Sequence, residues 1–498
     1  MKNLIKINSC KRILNISNRG IFINNNNVFL NNNNNKVSNI NKRYFTNSNI
    51  ILNNVKPLAI GQPTHETHPH LLEKDEVTKG IKKEEFKERR NKLLKPFAIG
   101  SIVVLFTPPE PMMSYDIPWD FRQNTNFNYF TGFNEPEAVL VLEKTSDVDH
   151  ISYMFVRERQ EEKEKWDGPR CGGENVNRFF GIDYGYNLNE TQTLLKLLTR
   201  NPEKKLYCNI VEWNQLFSKL QGISEFQTFN IEKILQQCRL IKSNSEVKQM
   251  LNSGEIAGES FSEVMKYIKP GMNEYEISAY FEWNVKKRGA KRMSYPPVVA
   301  GGNNANTLHY IANNQILKDG DLLLMDAGCE HWGYTSDITR TFPVNGRFTE
   351  AQRKVYEAVL DVNKKCIEMC VAGESINSIH DLSIQLTKEH LKNLGILHDN
   401  NPNTYSLYYP HSIGHYLGMD THDTIDFSYG VTLEPGMIIT IEPGIYISKY
   451  DQNVPEEYRG INIRVEDDVV VSQKNESPLV LTYRAPKEIK DIENIMNK

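Results

Sequence analysis

The chain contains no Asp or Glu before Glu66, no CxxC pair, and no apolar run of the roughly 18 residues that a membrane-crossing helix needs. The last absence removes any expectation of a membrane span. The seven cysteines are odd in number and scattered, so neither a disulfide framework nor a zinc ribbon is expected. Cys366 and Cys370 are spaced to share a helix face, and two small buried residues is the plainer reading of that pair. A net charge of -3 and a pI near 6.5 give no electrostatic reason to expect nucleic acid or an anionic membrane as partner. With 498 residues, the chain is long enough for two domains with appendages.

The acid-free start carries nine basic residues between Lys2 and Lys56, with short apolar clusters such as "LIKI" and "RILNI". That composition is expected of a mitochondrial transit peptide, with a boundary near Phe45 after "KRY"; a disordered tail is the bland alternative. The asparagine runs within it read as low-complexity sequence without core-forming capacity. The reading divides the chain into a transit peptide (1–46), a linker (47–76), a first domain (77–241) and a second (242–498). His65, His68 and His70 fall in the Pro-punctuated linker, where exposed imidazoles more often do nothing catalytic than hold a metal.

From Val77 the pattern turns periodic. "EEFKERRNKLL" reads as helix and "SIVVLF", "EAVLVLE" and "HISYMFV" as strands, so the first domain is expected to be α/β. Ser243 or Ser245 is positioned to cap a long helix ending before Pro270-Gly271. Beyond it, helices interleave with adjacent strand pairs, which predicts an α+β domain with antiparallel strands.

Within "LLLMDAGCEHWGYTSDITRTFP" stand two aspartates, Asp326 and Asp337, in what otherwise reads as core strand. A carboxylate buried there costs several kcal/mol, of order 3–5, unless it is paired. No Lys or Arg lies between the two, and a hairpin turning at Gly333 would aim both at one point. Downstream, "HSIGHYLGMDTHD" offers His411, His415 and His422, "TIEPGIYI" places Glu442 before a Pro-Gly turn, and "IRVEDDVVV" embeds Glu466 in a strand. Singly, each has an ordinary structural reading. Together, four carboxylates and one imidazole make an oxygen-rich set that suits two divalent cations, Mn2+ foremost, better than one structural zinc.

The order Asp, Asp, His, Glu, Glu in these settings resembles the pita-bread metallopeptidases, and within them the Xaa-Pro aminopeptidase (aminopeptidase P) branch. "FRQNTNFNYFTGFNEPEAVLVL" looks like the creatinase-like N-terminal domain of that branch, and "GQPTHETHPHLLEKDEVTKGI" like the opening of its mitochondrial members, the intermediate-cleaving peptidases. The resemblance implies an α/β creatinase-like domain followed by an α+β pita-bread catalytic domain. It also implies that Asp326 chelates one metal, that Asp337 and Glu466 bridge both, and that His415 and Glu442 complete the second. Bridging carboxylates are needed because two cations about 3.5–4 Å apart repel, and a water shared by them loses its proton near neutral pH.

By the same resemblance Glu442 takes that proton, and His309 and His422 steady the carbonyl as it becomes an oxyanion. His411 lines the proline pocket, Arg464 orients the metal-bound carboxylates, and Tyr446 contacts substrate or merely packs. The implied activity releases the N-terminal residue from peptides or proteins, favouring Xaa-Pro, in the mitochondrial matrix after presequence removal. A homodimer is implied, with the segment around Trp166 reaching a neighbour. Two rivals stand beside this reading: a prolidase acting on Xaa-Pro dipeptides, and a non-catalytic pita-bread binding module. Methionine aminopeptidase shares the five ligands but lacks a large first domain.

Overall fold

The computed structural model describes residues 57–199, 205–217, 228–398 and 402–497. The expected transit peptide and residues 47–56 of the expected linker lie outside them. Residues 57–75 are not loose: Gly61 N donates to Glu135 Oε1 (3.0 Å) and Gln62 Nε2 to the Gly132 carbonyl (3.0 Å), which fastens the segment to the first domain. His65 is spent locally, its Nδ1 2.9 Å from the Leu72 carbonyl.

The first domain opens with α1 (Lys83–Leu94) and continues through β1 (Ile102–Phe106), α2 (Thr125–Thr131), β2 (Val139–Lys144), β3 (His150–Val156), β4 (Tyr184–Asn187), β5 (Leu206–Cys208), β6 (Thr228–Asn230) and α3 (Glu232–Leu240). These six strands form one mixed sheet in the order β6-β5-β1-β2-β3-β4. All five residues of β1 are buried. Val103 and Leu105 pack into one core, and Ile102, Val104 and Phe106 into another, so helices and loops cover both faces of the sheet. A continuous apolar run with no polar alternation is what a doubly covered strand requires.

The second domain begins with α4 (Asn244–Tyr267), capped as the sequence predicts: Ser243 Oγ accepts from Glu246 N while Glu246 Oε2 accepts from Ser243 N at 2.9 Å. Gly254 and Gly258 lie on the helix where the C-terminal chain crosses it; a Cβ at either would sit 2.5 Å from the Leu481 carbonyl oxygen or 2.7 Å from Ala485 N. The roughly 1 kcal/mol cost of a mid-helix glycine is thus offset by close packing. After α5 (Glu274–Lys287) come β7 (Val298–Gly301), β8 (Leu322–Asp326), β9 (Cys329–His331), β10 (Tyr334–Thr335) and β11 (Thr339–Pro343). Then follow α6 (Glu350–Glu368), α7 (Ile376–Asn393), β12 (Ile438–Ile441), β13 (Gly444–Tyr446), β14 (Asn462–Arg464) and β15 (Asp467–Val470). The strand ladders of this half are antiparallel among the described residues, as expected, with one isolated parallel bridge at Val371–Ser472.

The sheet β7-β8-β11 has two faces with different neighbours. Val299, Leu323, Met325 and Phe342 join the main core with α4 and α5, whereas Val298, Ala300 and Leu324 pack with Tyr446. Full burial of Leu323 and Met325 contributes roughly 1.5–3 kcal/mol each and anchors the strand. Asp326, two residues beyond Leu324, falls on the second face, toward Tyr446. Cys366 and Cys370 are both buried, and Cys370 Sγ contacts the Cys366 carbonyl at 3.4 Å, as the plainer reading has it.

Candidate metal centre

The two aspartates meet because the chain between them folds back on itself. β9 and β10 turn at Trp332-Gly333, both with positive φ (+51° and +86°), and β8 then pairs with β11 so that Asp326 faces Thr339. Asp337, two residues before Thr339, lies on the same side as Asp326. The Tyr295 hydroxyl joins them, within hydrogen-bond reach of both carboxylates and able to donate its one proton to either.

Glu442 and Glu466 arrive by a different device. The ladder β12–β15 pairs Ile441 with Asp467, and the ladder β13–β14 pairs Gly444 with Arg464. Between them both strands break, at Glu442-Pro443 and at Val465-Glu466. Glu466 is therefore not inside a strand, contrary to the sequence reading: the chain changes sheets there, and its N–H is taken by the Thr339 carbonyl at 3.0 Å. Pro443 lacks an N–H and suits such a break. His415 is held beside β12 through its N–H to Thr440 Oγ1 (3.1 Å), and its Nδ1 lies 3.1 Å from the Tyr416 carbonyl, which leaves Nε2 toward the carboxylates.

Donor atoms of Asp337, His415 and Glu466 all lie within 4.8 Å of one another. His415 Nε2 is 3.4 Å from Asp337 Oδ2 and 3.8 Å from Glu442 Oε1. Asp326 is held by Arg464, whose Nη2 donates to its Oδ2 at 2.6 Å. All five expected ligands line one cavity of about 180 Å3, together with His309, His411, His422 and Arg464. His309 and His422 are exposed at its rim. Tyr446 does not line it: 4% exposed, it stands behind the wall, its hydroxyl 2.9 Å from His411 Nε2 and accepting from Arg464 Nη1 at 2.9 Å. Burial, then the nearby Arg464 charge, pulls His411 down to about 4, so it is a neutral imidazole at neutral pH.

The charges do not balance without a cation. Burial, then the charges of Asp337, Glu442 and Asp326, drives Glu466 well above the usual carboxylate range. Burial raises Glu442 to about 7 against His415 and Arg464, and raises Asp326 despite Arg464. Asp337 alone is lowered: burial opposes it, but the hydrogen bond and charge of His415 and the Tyr295 hydroxyl prevail. His415 is correspondingly raised to about 9, burial being overridden by Asp337 and Glu442. A buried set of four acids answered by one arginine and one histidine is short of positive charge, and its donors are the hard oxygens and single imidazole that divalent cations prefer. The residues present fit such ions.

Three supporting residues escaped the sequence reading. Tyr295 carries no local signal beyond a tyrosine ahead of Pro-Pro. Thr339 donates to Glu466 Oε2 (2.7 Å) and accepts from Arg464 Nε (2.9 Å); its place two residues after Asp337 was the available clue. Asp468 accepts the Asp337 backbone N–H at 3.1 Å and has no readable signal within its acidic run.

Residues 248–473 match the metallopeptidase family M24, and residues 86–207 match the aminopeptidase P N-terminal domain. The chain is 67% identical to the Xaa-Pro aminopeptidase 3 of Dictyostelium discoideum over 92% of its own length and 91% of that protein's. It is 39% identical to the mitochondrial intermediate cleaving peptidase 55 of Arabidopsis thaliana, with 88% of each chain covered. Among solved structures, E. coli aminopeptidase P in its low-pH form superposes with a TM-score of 0.78 at 36% identity, covering 84% of this chain and 98% of that one. The chain therefore belongs to the M24 metallopeptidases, in their aminopeptidase P branch: a hydrolase that couples the aminopeptidase P N-terminal domain to a pita-bread catalytic domain and acts on peptides.

Proposed function

We propose that this Xaa-Pro aminopeptidase works with two divalent cations, Mn2+ foremost, and removes one residue from the N-termini of mitochondrial proteins after presequence cleavage. The observation that carries the reading is the convergence of Asp326, Asp337, His415, Glu442 and Glu466 on one small cavity. Asp326 would hold one ion, Asp337 and Glu466 both, and His415 with Glu442 the other. When bound, the cations supply Lewis acidity and acidify a water.

The chain's own residues do the rest. Glu442, 3.8 Å from His415 Nε2 in the same cavity, takes a proton from the attacking water in this scheme and returns it to the departing nitrogen. An Xaa-Pro nitrogen is tertiary and carries no proton of its own, so this delivery is what lets it leave. His309 and His422, exposed at the rim, would donate to the carbonyl oxygen as negative charge develops on it. His411, neutral and braced by Tyr446, forms the wall offered to the proline ring. Tyr446 thus serves as a brace in this scheme and not as a substrate contact.

The acid-free start of the chain and the mitochondrial relative support a matrix location. The hairpin Met112–Ser114/Ile117–Pro118 supports a homodimer: Met113, Tyr115 and Trp119 around it are 54%, 99% and 55% exposed, as is Trp166 at 89%. Comparing mitochondrial N-termini with and without the enzyme tests the function. The expected result is a set of proteins retaining one extra N-terminal residue, and identical N-termini would reject the role.

A further inference from the structure

His309 lines the catalytic cavity from its exposed rim, and among the described residues neither of its ring nitrogens makes a hydrogen bond. Its place is therefore the place of its loop, residues 302–314, which runs from the end of β7 toward β8. Leu308 and Tyr310, its two neighbours in the chain, pack against the small core of Val298, Ala300, Leu324 and Tyr446 behind the cavity.

Both ends of that loop are fastened by one side chain. Glu274, the first residue of α5, is fully buried; its Oε1 accepts the Gly301 N–H at 2.8 Å and its Oε2 the Gln315 N–H at 3.0 Å. Its own N–H donates back to the Gln315 carbonyl at 3.0 Å. Within the loop, Asn304 Nδ2 donates to Oε1 at 2.9 Å and the Tyr310 hydroxyl to Oε2 at 2.8 Å. Each carboxylate oxygen thus takes one bond from an end of the loop and one from its interior, and Asn304 Nδ2 also donates to the Tyr310 hydroxyl at 3.3 Å. All four donors are neutral. A buried carboxylate needs such partners, so the closed loop satisfies Glu274 and Glu274 closes the loop.

The approach is close. A Cβ at Gly301 would lie 3.3 Å from Glu274 Oε1 and 2.6 Å from Leu317 Cδ2, so the strand end meets the carboxylate only because that residue is glycine. Tyr310 follows His309 directly, and a displacement of its hydroxyl from Glu274 reaches His309 through a single peptide bond. A catalytic group misplaced by about 1 Å costs on the order of 100-fold in rate.

We infer that Glu274 is a positioning residue for the peptidase reaction: through Gly301, Asn304, Tyr310 and Gln315 it holds the 302–314 loop closed and so sets where His309 meets the carbonyl oxygen. The inference rests on the oxyanion role given to His309 above. None of the bonds made by the Glu274 side chain reaches a metal ligand, so its removal acts on turnover and leaves the metal centre loaded.

The test uses the metal-loaded full chain and an Xaa-Pro tripeptide. Glu274→Gln replaces one accepting oxygen by an amide nitrogen that cannot accept, and kcat should fall about 10- to 30-fold while KM changes less than about threefold. Mn2+ content should match wild type. Tyr310→Phe, which removes only the contact nearest His309, should lower kcat about three- to fivefold. His309→Ala alone should cost about 100-fold, and adding Glu274→Gln to it should cost less than about twofold more, because the group being positioned is gone. Thermal melts establish folding; should Glu274→Gln not fold, Tyr310→Phe with and without His309→Ala decides in the same way. Wild-type kcat in Glu274→Gln, or an equal loss from it with and without His309, overturns the inference and leaves the aminopeptidase reading standing. Wild-type kcat in His309→Ala removes the oxyanion role and the inference together, and a wild-type chain that cleaves no Xaa-Pro peptide overturns the aminopeptidase reading itself.

Discussion

Arg464 Nη2 donates to Asp326 Oδ2 at 2.6 Å, and the same guanidinium reaches Tyr446 and Thr339, both at 2.9 Å. One planar fork therefore fixes a candidate metal ligand, the brace behind His411, and the threonine that holds Glu466. A lysine there can satisfy only one of these directions, since its charge sits at a point. Arg464→Lys is expected to fold and to lose about 10–100-fold in kcat/KM, the usual cost of removing a partner that orients metal ligands. Arg464→Met leaves Asp326 buried without its partner and should lower stability by about 3–5 kcal/mol in the metal-free protein. Steady-state kinetics and denaturant unfolding check the pair, and wild-type kinetics in Arg464→Lys would remove the orienting role.

Asp337 is the acid whose environment most favours its charge, because His415 and the Tyr295 hydroxyl both address it. Asp337→Asn keeps the shape and removes the anion. The expected outcome is a folded protein that binds divalent cations less stoichiometrically and retains under a tenth of wild-type turnover. Metal analysis beside an activity assay decides it; turnover within tenfold of wild type contradicts a bridging role.

How much of this was legible in the sequence depends on what each feature needs. The strand β1 is written in "IVVLF", and the cap of α4 in Ser243 and Glu246, because both are set by neighbours in sequence. The Asp326–Asp337 hairpin was readable for the same reason. The break at Glu466 was not: "NIRVEDDVVV" is uniformly strand-like, and only pairing with two different partners, β13 and β12, divides it. Tyr295 was hidden because its partners are 31 and 42 residues away. The docking of residues 57–75 was hidden too, since Glu135, which receives the Gly61 N–H, is 74 residues distant.

Loading the metal centre should release protons. Without cations, His415 is raised to about 9, Glu466 lies well above the usual range, and Glu442 is near 7, so at neutral pH the site carries about two to three protons that metal binding must expel. Apparent affinity should fall as pH drops from 8 to 6, by about 100-fold per unit when two protons leave. Calorimetric titration of Mn2+ in buffers of differing ionisation enthalpy measures the number directly. Heats independent of buffer would mean that the site holds no protons for the cations to displace.

A stability prediction concerns a residue far from this centre. His150 is 5% exposed, with Nδ1 2.5 Å from Asn91 Oδ1 and Nε2 accepting from Arg90 Nε at 3.2 Å. Both ring nitrogens are used in the neutral form, and protonation would add a charge beside the buried Arg90. Burial, then Arg90, accordingly lowers His150 to about 4 from 6.5. With the folded value depressed, nothing is gained or lost above pH 6.5, where both states are neutral. Below it the unfolded chain takes the proton first, so stability declines by about 1.4 kcal/mol per unit and by about 3 kcal/mol on reaching pH 4. His150→Gln keeps a donor and an acceptor but cannot titrate, so its unfolding free energy should fall less steeply than wild type across that window. Parallel urea titrations at pH 7 and pH 4.5 measure the difference, and identical pH slopes would show that His150 titrates alike in the folded and unfolded protein.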